Sequence, residues 1–204
     1  MVTTYYTIAF IASVILSLIY VWRWHKHYNI HISLAFLLIP VVILGYIAFS
    51  CANTLEEALY GNVLIYMGGC YLFLILTLVV LDLCKMPAGR WVRLALFTMS
   101  SSVFLLVLTD RLHHLFYKSV SFEKINGIVR LTKVYGPLHG TFYALIFFYL
   151  SINLWALCIS YFKKNDVSNK IVFHLFLTET VAVSCYVFER FIHLGFDLEP
   201  VSYV

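Results

Sequence analysis

Six stretches of this chain are too long and too apolar to be ordinary strands or surface helices, and they limit the fold before any other feature does. They run Thr4–Trp22, Ile30–Cys51, Ala58–Leu81, Trp91–Leu108, Thr141–Tyr161 and Ile171–Ile192. Each holds about 18 to 24 residues, which as helix covers the roughly 30 Å hydrocarbon core of a bilayer. The pattern predicts an all-α, polytopic transmembrane bundle of six complete spans, occupying 1–204 as one domain. What remains is short connectors and one larger loop, with no room for a separate soluble domain. Composition agrees: 62% of residues are hydrophobic, 12% are charged, and the mean hydropathy is +0.90. These values exclude a cytosolic enzyme and a secreted disulfide scaffold. The formal net charge of +4 does not describe a nucleic-acid groove either, because the lysines and arginines flank the apolar stretches, where they report topology.

The first stretch reads as a mature helix, since Met1–Tyr6 carries no basic residue and no small-residue cleavage site precedes Arg23. Basic residues gather after span one (Arg23, Lys26), after span three (Lys85, Arg90, Arg93) and after span five (Lys163, Lys164, Lys170). Those loops are expected inside the cell, which puts the amino terminus outside. The connector with Glu56 and Glu57 is then external. So is the loop 110–140, whose Arg111, Lys118, Lys124, Arg130 and Lys133 are more thinly spread. Six spans return the chain to its starting side. The tail His193–Val204, with Gly195 and Pro200, resembles the turn before a further helix, so the expectation is a chain cut off before a seventh span. The alternative is a natural six-helix protein with a short external tail.

Within the large loop, Ser121–Thr132 holds Asn126-Gly127 between β-branched and aromatic runs, a hairpin signature, and such a hairpin makes a lid over the helix ends; the alternative is a connector kept soluble by its charges. Pro40 and Gly45 are expected to kink span two, and Gly68-Gly69 to admit a close neighbour in span three. Ser100, Ser101 and Ser102 suit helix packing. Glu179 lies near the middle of span six, where an ionised carboxylate costs on the order of 2.5–3.5 kcal/mol, so it either packs protonated or meets a ligand. His174, Thr178, Cys185 and Glu189 are expected to form a polar stripe facing the interior, with Tyr143, Tyr149 and Asn153 doing the same in span five. His113, His114, His139 and His193, with Asp110, suit a transition metal by composition, and His31 with His174 suits a haem iron, but neither set has a specific ligand spacing. Four of the five cysteines lie in apolar stretches and read as packing residues; Cys84, at a membrane edge, is a candidate for acylation. No nucleophile elbow, phosphate loop or dinucleotide fingerprint occurs, so no catalytic residue is assigned.

Several strings, taken in order, resemble one family. They are Ala52-Asn-Thr-Leu-Glu56-Glu57-Ala-Leu, Tyr66-Met-Gly-Gly, Lys85-Met-Pro87 with Trp91, Leu108-Thr-Asp-Arg-Leu-His113-His114-Leu-Phe-Tyr117, Tyr135-Gly136-Pro137 and Gly195-Phe-Asp197-Leu-Glu-Pro200. Together they resemble the amino-terminal seven-transmembrane sensor region of bacterial histidine kinases, which also precedes diguanylate cyclase modules. Asp110 stands where that family often has Asn. The resemblance implies a bacterial inner-membrane sensor that binds a small molecule and regulates a carboxy-terminal kinase or cyclase, dimerising through the parent protein. It implies a ligand site at the external mouth from Glu56, Glu57, Tyr66, His113, His114, Tyr117 and Tyr135, floored by Glu179; Asp110, His139 and Tyr143 complete the candidate set. The expected partners are the lipid bilayer and an unidentified amphipathic molecule, with no nucleic acid, and no cofactor or metal is assigned. Two alternatives stand beside the sensor. One is a haem- or metal-binding oxidoreductase built on the histidines. The other is a small transporter using Glu179, although the two halves show no internal repeat.

Overall fold

A computed structural model describes residues 2–23, 30–125, 127–162 and 168–191, with the side chains of 182 and 185–191 outside that description. The elements in chain order are α1 (Val2–Arg23), α2 (Ile30–Cys51), α3 (Leu55–Leu83), α4 (Arg90–Leu108), the single turn α5 (Asp110–His113), β1 (Tyr117–Ile125), β2 (Ile128–Tyr135), α6 (Gly140–Phe162) and α7 (Asn169–Phe191). Among the described residues five helices, α1 to α4 and α6, are long and apolar enough to cross a membrane. The sixth predicted stretch is also helical, as α7, and its last residue, Ile192, lies outside the described residues. The tail from His193 onward lies outside them too.

Helix α3 starts at Leu55, ahead of the predicted Ala58, because Thr54 caps it. The Thr54 side chain accepts from the Glu57 amide at 3.2 Å, and the Glu57 carboxylate reaches back to the Asn53 amide at 2.7 Å. Two orphan donors are thereby satisfied and the last turn before the apolar run becomes helix.

α3 is the hub, in contact with α2, α4, α6 and β1, while α1 packs on α2 and α7 on α6. The α2–α3 crossing is antiparallel and depends on small residues. A Cβ added at Gly61 would lie 2.6 Å from the Phe49 amide nitrogen, and one at Gly45 would lie 2.7 Å from Leu64 Cβ. Gly68 and Gly69 are also crowded, by Val42 and by the Phe142 ring, so the close approach expected there occurs. Helix α2 runs unbroken through Pro40. Proline has no N–H to donate to the carbonyl four residues back, that of Phe36. The Ser17 hydroxyl of α1 lies 2.7 Å from that oxygen and also 2.8 Å from its own Ser13 carbonyl.

Within the apolar core several polar side chains are buried, and many large apolar ones face outward. Ser13, Asn62, Thr77, Ser100, Asn153 and Ser160 are buried, whereas Trp22, Leu37, Phe147 and Phe162 are exposed. Only a solvent as apolar as lipid makes that distribution favourable. Ser100 bonds the buried Tyr149 hydroxyl at 2.6 Å, and Ser101 meets Tyr71 at 3.0 Å, as helix-packing residues do.

Two expectations are corrected. His174 and Thr178 are exposed, because Val172 and Leu175 turn α7 onto α6; their partners in the predicted stripe, Cys185 and Glu189, have side chains outside the described residues. Cys84 is fully buried among Val80, Leu81, Ala156 and Leu157, which leaves its thiol no access for acylation.

The hairpin forms as its turn predicts. β1 and β2 pair antiparallel, with Ile125 opposite Ile128 and Gly127 at φ +77° in the turn; Asn126 lies outside the described residues. The strands extend beyond the predicted run, to Tyr117 and Tyr135.

Candidate functional site

The base of the hairpin is fixed by a carboxylate. One oxygen of Asp110 accepts from the amides of Phe116 and Tyr117 at 2.8 and 3.0 Å, so the turn of α5 leads directly into β1. At the far end of β2, Gly136 donates to the Phe116 carbonyl at 2.8 Å and Leu138 to that of Leu115 at 3.0 Å. A side chain at Gly136 would run into the Leu115 carbonyl, which explains the glycine. The strand ends are thus folded onto each other, and His139 is carried into the bundle at the start of α6.

The result is an aromatic chamber between the hairpin base, α3 and α6. The Tyr66 and Tyr117 oxygens are 2.7 Å apart. His139 stacks on Tyr135, with centroids 3.9 Å apart and planes at 10°, and meets Phe116 and Tyr143 edge-on at 4.6 and 5.2 Å. Phe142 contacts Tyr66 at 4.7 Å. Into this chamber β2 sends Lys133. Its Nζ donates to the buried Asn62 Oδ1 at 2.7 Å and lies 5.6 and 5.4 Å from the Tyr66 and Tyr117 ring centroids. Ring faces carry negative potential, so these distances are attractive for an ammonium. Burial pushes the Tyr117 phenol above its ordinary pKa, against the pull of its bonds to Tyr66 and Asn62, so it keeps its proton.

Of the sequence candidates, Tyr66, Tyr117, Tyr135, His139 and Tyr143 come together here, with Asp110 supporting the backbone beneath them. The other five sit around the chamber or apart from it. Glu56 pairs with Arg111 at 2.9 Å on the exposed surface, a bond that raises the guanidinium pKa. Glu57 caps α3. His113 accepts from the Leu115 amide at 3.0 Å and lies 3.1 Å from the Thr109 hydroxyl. His114 is exposed, at φ +52°, closing the α5 turn through its amide. Glu179 lies farther down the bundle, since its partner Asn153, at 2.6 Å, is about 15 Å along α6 from Tyr143 at ordinary helical rise. It lines an open groove of about 250 Å3 between α6 and α7 with Leu150, Leu154, Phe176 and Ser184.

Sequence reasoning missed Asn62, Phe116, Phe142 and the role of Lys133. The period of two along β2 carried a signal, because Lys133 and Tyr135 fall on one face of the strand. At the opposite end of the bundle His31 Nδ1 meets the Asp82 carboxylate at 2.7 Å, while His174 Nδ1 meets the Lys170 carbonyl at 2.6 Å. Among the described residues no three His, Cys, Asp or Glu side chains group as a metal-binding set; His193 lies outside them.

A family model described as the N-terminal 7TM region of histidine kinase matches residues 6–204. No curated protein and no solved structure matches the chain.

Proposed function

The chain belongs to the family of N-terminal 7TM regions of histidine kinases, and on that premise we propose that it senses a small molecule at the aromatic chamber and controls a cytoplasmic kinase core. The match over 6–204 carries the reading. The chamber supports its location: seven aromatic rings and a lysine meet where a loop segment docks on helix ends, an arrangement that gives a ligand both ring faces and hydrogen-bonding groups. Sensing is then a bias between two states of the bundle by unequal ligand affinity.

In this proposal α7 is the sixth span, the amino terminus and the hairpin face outward, and the loops with Arg23, Lys85, Arg90, Arg93 and Lys170 face the cytoplasm of a bacterial cell. Glu56, Glu57, His113 and His114 ring the outer rim, and Glu179 sits below at a second polar position. The parent acts as a homodimer.

Membranes containing the parent polypeptide, given labelled ATP or GTP, test both halves of the reading. Phosphohistidine is the expected product; a cyclic dinucleotide would assign a diguanylate cyclase core instead. Tyr66→Ala and His139→Ala should each change basal autophosphorylation by at least about fivefold at equal membrane abundance, a shift of roughly 1 kcal/mol in the balance of states. Wild-type output from both variants would remove the chamber from signalling. For topology, single cysteines placed at Ser121 and at Lys85 should react with an impermeant maleimide from the outside and only after permeabilisation, respectively.

A further inference from the structure

The chamber already holds a cation of its own. Lys133 reaches from β2 to a position over two tyrosine rings and against a buried amide oxygen, the recognition pattern of an organic ammonium. We propose that Lys133 is a tethered ligand: its ammonium fills an aromatic cage made by Tyr66, Tyr117 and Asn62 and latches the hairpin shut, and the soluble molecules that compete for the cage are organic ammonium compounds. The proposal rests on the chamber being the sensory site and adds the ligand class and the way the ligand acts.

Three observations converge on it. Tyr66 and Asn62 belong to α3 and Lys133 to the hairpin, so the contact joins a helix of the bundle to the segment that covers it. Tyr117, at the first position of β1, supplies the second ring, so the cage is divided between the two bodies and opens when they separate. The second lysine fixing the hairpin is of a different kind: Lys124 donates to the Ala52 carbonyl at 3.0 Å and to Asn53 Oδ1 at 2.7 Å, on the α2–α3 turn, with no ring contact among the described residues. The hairpin therefore has a plain polar anchor near its tip and an ammonium-in-cage anchor near its base.

Tethering sets the competition. A group held by a short strand has an effective concentration in the millimolar range, so a free ammonium compound binds weakly until Lys133 is removed. Replacing Lys133 with methionine keeps an unbranched apolar stem out to the ε position and vacates the charge site.

The full chain in nanodiscs, with tetramethylammonium chloride as the probe and sodium chloride at equal ionic strength as the control, provides the test. Binding is followed by saturation-transfer NMR of the probe methyl groups, and hairpin opening by amide hydrogen exchange over residues 117–135. Lys133→Met should tighten probe binding about tenfold or more over wild type and speed hairpin exchange about tenfold. Lys133→Arg should hold both near wild type. Lys124→Met should speed exchange near the tip without improving probe binding, and Tyr66→Leu placed in the Lys133→Met background should abolish the gain. Probe binding no tighter in Lys133→Met than in wild type overturns the proposal, as does an equal gain in Lys124→Met. If Lys133→Met binds the probe tenfold tighter and kinase output nevertheless ignores every chamber substitution, the cage stands and the sensory assignment falls.

Discussion

The α2–α3 crossing offers the sharpest test of how this bundle is held. At Gly61 the nearest atoms to an added Cβ are backbone: the Phe49 nitrogen at 2.6 Å and its Cα at 2.8 Å. Ordinary carbon contacts begin near 3.4 Å, so Gly61→Ala forces the two helices apart by about 0.8 Å at this point, and no side chain can swing away to absorb it. Overpacking of this type costs about 1 to 3 kcal/mol, and the rigid neighbour argues for the upper half of that range. Gly45 faces the same seam, where its added Cβ would lie 3.2 Å from the Gly61 carbonyl. Once Gly61→Ala has moved the helices, Gly45→Ala meets a seam already opened. The double variant should then cost at least about 0.5 kcal/mol less than the two single costs together. Reversible unfolding in mixed detergent micelles, followed by circular dichroism, measures all four members of the cycle. A loss below about 0.5 kcal/mol for Gly61→Ala, or strict additivity in the cycle, would refute the backbone-on-backbone reading.

Ser17→Ala should destabilise by about 1 kcal/mol by orphaning the Phe36 carbonyl, and the loss should shrink in a Pro40→Ala background, where an amide is restored to that oxygen; equal losses in both backgrounds would detach Ser17 from the proline. Asp110→Ala should leave two amides unsatisfied and cost about 2 kcal/mol, read as faster exchange at Phe116 and Tyr117, whereas Asp110→Asn keeps the oxygen and most of the protection. Glu56→Gln should change stability by less than about 1 kcal/mol, because both partners of its ion pair are more than half exposed; a larger loss in the same unfolding assay would show that the pair is more than a surface contact.

The long apolar helices were legible in the sequence because lipid imposes a minimum length on any helix that crosses it, and that length is visible as an unbroken apolar run. The hairpin was legible through Asn126-Gly127, since the turn demands a positive φ that few residue pairs supply. What escaped was mostly set by the angles at which elements dock. Lys133 counted in the sequence only as a loop charge, and its approach to Asn62 depends on the angle at which the hairpin meets α3. The rotation of α7 was equally hidden: Val172 and Leu175 decide which side faces α6, while a count of polar residues favours His174 and Thr178. Glu57 is a different case. Thr54 followed three residues later by Glu57 is itself a capping signature, and it accounts for this carboxylate by helix chemistry alone.

The two kinds of contact in this molecule should separate its motions. Along α2 and α3, glycines bring backbones together, and parting the helices loses packing over the whole seam with nothing in lipid to replace it. The hairpin is held instead by Lys124, Lys133, the Asp110 carboxylate, the Tyr117 and Tyr135 rings against Tyr66 and His139, and a small patch where Val129 meets Ala52 and Ala58. Each of its polar bonds can be exchanged for bonds to water, at about 1 kcal/mol apiece. Opening the hairpin should therefore cost less than separating α2 from α3, and its amides should exchange well before those of residues 58–72. Hydrogen exchange on the intact chain in nanodiscs resolves the two groups. If the hairpin amides and the α3 amides exchanged together, the covering segment would be an inseparable part of the bundle, and a latch at its base would have nothing to release.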